Sequence, residues 1–206
     1  MTDSKEIVEE KKLSPIQEKW QEAQYLAQSS LLPKHFTGQP ANVLIALEYA
    51  KQLSTANKQL SPISVMQNLY VVHGNCGLSS KFKIALANSS GKFDSQIKYK
   101  TAYKDGKVFC VKAYTTIGGE EVSHDIDMDT ANAEGWTKNP KYKSLPQLML
   151  SYRAASSLIN LYAPEVTMGL TTDDDIMDAE YSETTVVETE KPKALASGDI
   201  IDDDLL

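Results

Sequence analysis

The sequence predicts an α+β fold: a small antiparallel sheet backed by helices, followed by an acidic tail expected to be disordered. Three observations carry that expectation. Residues 93–127 hold three strand-like runs joined by the turn pairs Asp105-Gly106 and Gly118-Gly119. Apolar residues recur at helical spacing on both sides of those runs, most clearly over residues 144–162. From residue 181 the chain is acidic, rich in Ser and Thr, and without any sustained apolar period.

Taken in order, residues 14–29 read as a helix. Ser14 can cap it, Pro15 suits its first turn, and Ile16, Trp20 and Ala23 recur at helical spacing. Pro33, Gly38 and Pro40 punctuate a loop before a second helix at 41–53, with Val43, Leu44, Leu47 and Ala50 on one side. Ser61-Pro62 opens a short helix to about residue 67. "LYVVHGNCGLS", residues 69–79, reads as a hairpin turning between Gly74 and Gly77. Residues 79–88 form a further helix, ended by Ser90-Gly91. The strands follow at 93–104, 107–116 and 120–127, then a helical "DTANAE" stopped at Gly135. The strongest helix covers 144–162: Ser144 and Gln147 have capping-box spacing, Pro146 fits the first turn and Pro164 blocks continuation.

The chain of 206 residues carries a net charge of −7, which is unevenly spread. Residues 1–29 hold four lysines and six acids. Residues 30–162 hold fourteen lysines and one arginine against nine acids; residues 163–206 hold two lysines against thirteen acids. A basic body joined to an acidic tail points to a polyanionic partner for the body. Two cysteines make no disulfide framework, and the charged start "MTDSKEIVEEKKL" is no signal peptide. No apolar run reaches the roughly 18 residues that span a bilayer, so the expectation is a cytoplasmic protein without a membrane partner. There is no Walker lysine motif, dinucleotide fingerprint or nucleophile–base pair, which argues against an ATP-driven machine and against an enzyme.

Three constellations invite a binding reading. On a helical wheel of residues 144–162, Leu148, Tyr152, Ala155 and Ile159 form an apolar stripe, widened by Leu150, Ala154, Leu158 and Leu161. The remaining sector holds Asn160, Ser156, Ser157 and Arg153, the only arginine in the chain. A guanidinium fork beside hydroxyls and an amide suits phosphate oxygens, or else an internal carboxylate or carbonyl. Upstream, "EGWTKNPKYKSLP" sets Lys138, Lys141 and Lys143 around Trp136 and Tyr142, a composition suited to single strands whose bases stack on rings. It equally suits a solvated basic loop. In "IKYKTAYK", Lys98 and Lys100 alternate with Ile97 and Tyr99. A three-residue turn at Lys104, Asp105 and Gly106 would place Lys112 on the same face as Lys98 and Lys100, making that face basic. Asp125, Asp127 and Asp129 would share a strand face, a weak metal motif that lacks further converging oxygens and more simply makes a solvated strand edge.

Several stretches, quoted in order, resemble one family. "SSLLPKHFTGQPANVLIALEYAKQL", "SPISVMQNLYVVHGNCGLSSKFKIAL", "EGWTKNPKYKSLPQLMLSYRAASSLINLYAPEV" and "GLTTDDDIMDAE" are similar to the RecT family of phage single-strand DNA annealing proteins, over residues 29–180. The most specific part is Trp136, Pro146, Met149-Leu150, Arg153-Ala154 and Pro164. The resemblance implies an annealing-protein-like core that coats single-stranded DNA and pairs complementary strands in homologous recombination, without ATP and with magnesium as a modulator at most. It implies rings or helical filaments, a partner exonuclease, and admits contact with a host single-strand-binding protein. The chain then divides into an N-terminal helical segment and candidate subunit contact (1–29), a DNA-binding core (30–180) and the acidic tail (181–206). Arg153, Asn160, Trp136, Lys138, Lys141, Tyr142 and Lys143 are assigned to the DNA groove, joined by Lys98, Lys100 and Lys112, and by Lys81 and Lys83. The competing expectations are a coating protein that does not anneal, a metal-dependent nuclease and an adaptor working through the tail, whose acid clusters interleaved with Ile and Leu suit either a solubiliser or a competitor for the basic groove.

Overall fold

The computed structural model describes residues 13–55, 58–72 and 74–172; the disorder expected of residues 181–206 lies outside them. The architecture is α+β, with small antiparallel sheets backed by helices. Helix α1 (Pro15–Ala27) packs on α2 (Pro40–Leu53), and α3 (Pro62–Met66) leads into the hairpin β1 (Leu69–Val72) and β2 (Asn75–Leu78). Helix α4 (Ser80–Ser89) follows, then the meander β3 (Lys98–Lys104), β4 (Lys107–Ile117) and β5 (Glu120–Asp127). After α5 (Met128–Ala133) and a 3-10 turn (Trp136–Lys138), α6 (Lys141–Ser144) precedes α7 (Pro146–Tyr162). A second 3-10 turn (Pro164–Thr167) leads to β6 (Thr171–Thr172), which pairs parallel to β2.

Helix α7 is the centre of the molecule. It packs on β4 and β5 and contacts α4, with Leu150, Ala154, Leu158 and Ile159 wholly enclosed. Enclosing a Leu or Ile side chain contributes about 2 kcal/mol, so α7 fixes the neighbours against which it lies. The core forms two apolar clusters. One gathers Val111, Ala113, Ile126, Tyr142 and the α7 residues; the other gathers Val43, Ala46, Met66, Leu69 and Leu78. Helix α4 joins them, giving Ala87 to the first and Leu86 to the second, and Val166 packs against both.

Several expectations need correction. Ser144 ends α6 and does not cap α7, because Leu145 precedes a proline and is driven out of the helical region, to φ −137° and ψ 53°. The hairpin register Val72↔Asn75 places the turn before Asn75, so Gly77 sits inside β2 opposite Tyr70. The first meander strand begins at Lys98 rather than 93, since residues 91–97 form an irregular lead-in held by Asp94, which donates from its N–H to the Thr116 carbonyl (2.9 Å). The turn at Asp105-Gly106 has two residues, both left-handed (φ 50° and 73°), so Lys104 pairs with Lys107. A bulge between Ala102 and Tyr103 adds one residue, and beyond it Lys100 lies opposite Lys112. Two register steps, turn and bulge, therefore restore the shared face of Lys98, Lys100 and Lys112 that a three-residue turn was expected to give.

Candidate nucleic-acid interface

Arg153 is inside the protein, 5% exposed. The wheel placed it on an outward polar strip; the correction comes from residues 136–144, which fold back over that strip. The guanidinium lies over the Trp136 ring, 4.1 Å from Cζ to the centroid, and its Nε–H donates to the Tyr142 hydroxyl (3.2 Å). A flat, weakly hydrated cation can stack on an indole and donate in its own plane at once, which an ammonium cannot. Tyr142 is likewise buried, at 1% exposed, and joins the core rather than offering a ring to a base. Trp136 is half-buried, packed against the same core. Pinned in this way, the segment turns its aromatic residues inward and leaves Lys138, Lys141 and Lys143 exposed.

Lys83 needs a second correction. It is fully buried, and its Nζ donates to Asn160 Oδ1 (2.7 Å) and, more weakly, to the Leu170 carbonyl (3.4 Å). It ties α4 to the end of α7 and to the approach of β6, so Lys83 is not at the surface and Asn160 is occupied in holding it. Two residues earlier on α4, Lys81 is exposed.

Lys81 and Lys141 meet at a cleft of about 400 Å³ lined also by Asn68, Tyr70, Ser79, Ser80, Leu145, Leu148, Met149 and Tyr152. Among the described residues of that lining none is acidic. Ser79 caps α4, its hydroxyl oxygen accepting from the Phe82 N–H (3.2 Å) while its own proton goes to Asn68 Oδ1 (2.8 Å). The positive end of the ten-residue α4 thus faces the cleft beside two ammonium groups. Tyr70 is 41% exposed at its edge. The sequence places Tyr152 on the apolar stripe of the 144–162 helix and gives Tyr70 no role, since neither stands near a lysine cluster in the chain; only the packing of β1 and α7 beside α4 brings them to the cleft.

The sheet face holding Lys98, Lys100 and Lys112 is not uniformly basic. Pairing of β4 with β5 puts Asp125 opposite Lys112 and Asp127 opposite Cys110, on that same face. Lys112 pairs with Glu121 (3.4 Å), and Lys100 lies over the Tyr114 ring, 4.6 Å from its centroid. Burial first, then the charges of Asp125 and Asp127, push the Cys110 thiol up. Asp127 also caps α5, accepting from the Thr130 N–H (2.7 Å), a bond that holds its carboxyl below the usual range. Asp129 belongs to α5, so the three aspartates do not share one strand. Among the described residues, no group of His, Cys, Asp and Glu is arranged to hold a metal, and no helix is long and apolar enough to cross a membrane.

What the site defines is a lysine-rimmed, tyrosine-lined cleft whose described residues include no carboxylate, built where α4, α6 and α7 converge. No family model, curated protein or solved structure matches the chain.

Proposed function

We propose that the protein binds single-stranded nucleic acid, and more particularly that it anneals complementary DNA strands in homologous recombination without ATP. The observation that carries this reading is the cleft: Lys81 and Lys141 face it, Tyr70 and Tyr152 line it, and Lys138 and Lys143 are exposed on the adjoining segment. Ammonium groups neutralise backbone phosphates and release their counterions, while tyrosine rings accept any base by stacking. Contact along the backbone leaves the pairing edges of the bases turned outward, where a second strand can test them. Base pairing supplies the free energy, and no catalytic group is required.

The annealing part agrees with the resemblance to the RecT family in residues 29–180. One cleft holds only a few nucleotides, so annealing calls for neighbouring subunits in a ring or filament. The N-terminal helix offers the contact: Ile16 and Trp20 of α1 are 64% and 39% exposed beside Leu13 and Leu44. A partner exonuclease that exposes the strand, and a host single-strand-binding protein, fit the same role. Arg153 enters as a positioning residue, holding the lysine-bearing segment on α7.

The test is a pair of measurements on the wild-type chain and on Lys81→Glu/Lys141→Glu. Four phosphate contacts predict a slope of log affinity against log salt of about −3 for a single strand. The double variant should lose at least about tenfold in affinity at low salt and flatten the slope by about 1.4. Mixing labelled complementary oligonucleotides should show faster pairing with the wild type. Slower pairing would leave a coating protein, cleavage with magnesium or manganese a nuclease, and no binding at low salt would end the reading.

A further inference from the structure

We propose that residues 173–180, "DDDIMDAE", dock in the Lys81–Lys141 cleft and compete there with nucleic acid, so that the chain carries its own occupant for the site. The docking stands on the geometry below; the competition rests on the nucleic-acid reading above.

The first argument is direction. Strand β6 runs parallel to β2, with Gly77 beside Thr171 and Leu78 beside Thr172. One residue past Leu78, strand β2 delivers Ser79 and then Ser80 and Lys81, which form one wall of the cleft. Strand β6 therefore ends at Thr172 beside Leu78, one residue short of that wall and pointing the same way, on the edge of β2 opposite β1. Thr172 is itself buried, so packing fixes where β6 ends.

The second argument is charge. Residues 173–180 contain five acids and no base, beginning with three consecutive aspartates. They meet a lining whose described residues include no carboxylate, two exposed lysines and the positive end of α4. Three other lysines are engaged in ion pairs: Lys19 with Glu48, Lys92 with Glu165 (2.8 Å) and Lys112 with Glu121. Among the described residues, Lys81 and Lys141 pair with no carboxylate.

The third argument is shape and reach. Ile176 and Met177 interrupt the acids, and the cleft offers apolar contact at Leu145 and Leu148, 52% and 41% exposed. Eight extended residues cover up to about 28 Å, ample for a cleft whose near wall adjoins the end of β6. Tethering so close gives an effective concentration in the millimolar range, so even a weak site is substantially occupied. A segment held at about ten times its dissociation constant weakens a competing strand about tenfold.

Two measurements decide the matter. On the unaltered full chain, carbodiimide should join Lys81 or Lys141 to Asp173, Asp174, Asp175 or Asp178, as read by peptide mass mapping. Links spread evenly over Lys58, Lys104 and Lys107 would overturn the docking, with no DNA involved. Next, an oligothymidylate of about 30 nucleotides is titrated at low and high salt into the full chain and into Asp173→Asn/Asp174→Asn/Asp175→Asn. The triple variant should bind about tenfold tighter at low salt, the two converging as salt screens the acids. Equal or weaker binding by the variant would overturn the competition. A chain lacking residues 181–206 should bind like the full chain; tightening there would transfer the effect to the distal tail and overturn the assignment to residues 173–180. If neither the full chain nor the variants bind the oligonucleotide, the nucleic-acid reading fails while the cross-links still judge the docking.

Discussion

Replacing Arg153 with alanine separates two roles that the sequence left open. If the guanidinium were a surface phosphate contact, its loss would weaken DNA binding and leave stability unchanged. The structure gives the opposite order of effects. Arg153 is 5% exposed, stacked 4.1 Å over Trp136 and donating to Tyr142. A desolvated cation–π contact is worth about 2 kcal/mol, and a hydrogen bond from a charged donor about 2 kcal/mol. Relief of the desolvated charge offsets part of that sum, leaving a net loss of about 3 kcal/mol. For a chain of this size, each kcal/mol moves Tm by about 2–4 °C, so Arg153→Ala should melt roughly 6–12 °C lower. Arg153→Lys keeps the charge but cannot stack and donate in one plane, and should fall between the two. Circular dichroism melts read the shift, and oligonucleotide titration well below the variant's Tm reads binding. Binding should weaken less than in Lys81→Glu/Lys141→Glu. An unchanged Tm with binding abolished would refute the positioning role and restore direct contact.

Two further outcomes follow from groups placed outside the interface. Lys83→Met keeps the volume of the buried side chain but takes the donor away from Asn160 Oδ1 and the Leu170 carbonyl, so it should cost about 1–3 kcal/mol. Lys83→Ala should cost about 2–4 kcal/mol through the cavity it leaves. Neither should change the salt slope of DNA binding, and a flattened slope would place Lys83 among the phosphate contacts. At α5, Asp127→Ala removes a cap worth about 1 kcal/mol. The Thr130 N–H holds the folded carboxyl below its usual value, so the contribution is full above the unfolded pKa of about 3.9 and is lost as pH falls through the lower folded value. The gap in Tm between wild type and variant should therefore be open at neutral pH and close in acid; a gap constant with pH would show that the ionised carboxylate is not what caps the helix.

Local chemistry made much of the fold legible. Prolines at positions 15, 40, 62 and 146 open α1, α2, α3 and α7, and left-handed residues at Asp105, Gly106, Gly118 and Gly119 close the meander turns. What failed was inference about which face looks outward. A wheel assumes one buried stripe, whereas α7 is enclosed nearly all round between Met149 and Ile159, because residues 136–144 form a second layer over it. Helical spacing alone likewise does not say which of Ile16, Trp20 and Ala23 is enclosed; α1 buries Ala23 and Ala27 and leaves the larger residues outside. The cleft was half legible. Lys81 and Lys141 were visible as charges, but their meeting depends on contacts between α4 and α7 that no local pattern encodes. Strand β6 was out of reach, because two residues become a strand only by pairing with β2.

The two buried cations explain how the cleft keeps its shape. Each sits beneath one wall and each is matched to its partners. Lys83 lies on the helix that presents Lys81, and two oxygens converge on its ammonium, as a compact point charge requires. Arg153 lies under the segment that presents Lys141, held between an indole face and a phenol, as a planar fork requires. Both anchors end on α7, through Arg153 itself and through Asn160. Lys81 and Lys141 are therefore carried by walls fixed to a common helix, and the spacing between them is set before any ligand arrives. Flexible lysines on a mobile loop would spend ordering entropy on each phosphate contact, whereas walls already fixed spend only that of the side chains. This accounts for the lone arginine: among the described residues it is the position where a cation lies flat against a ring inside the protein, a task that a lysine on the surface does not have.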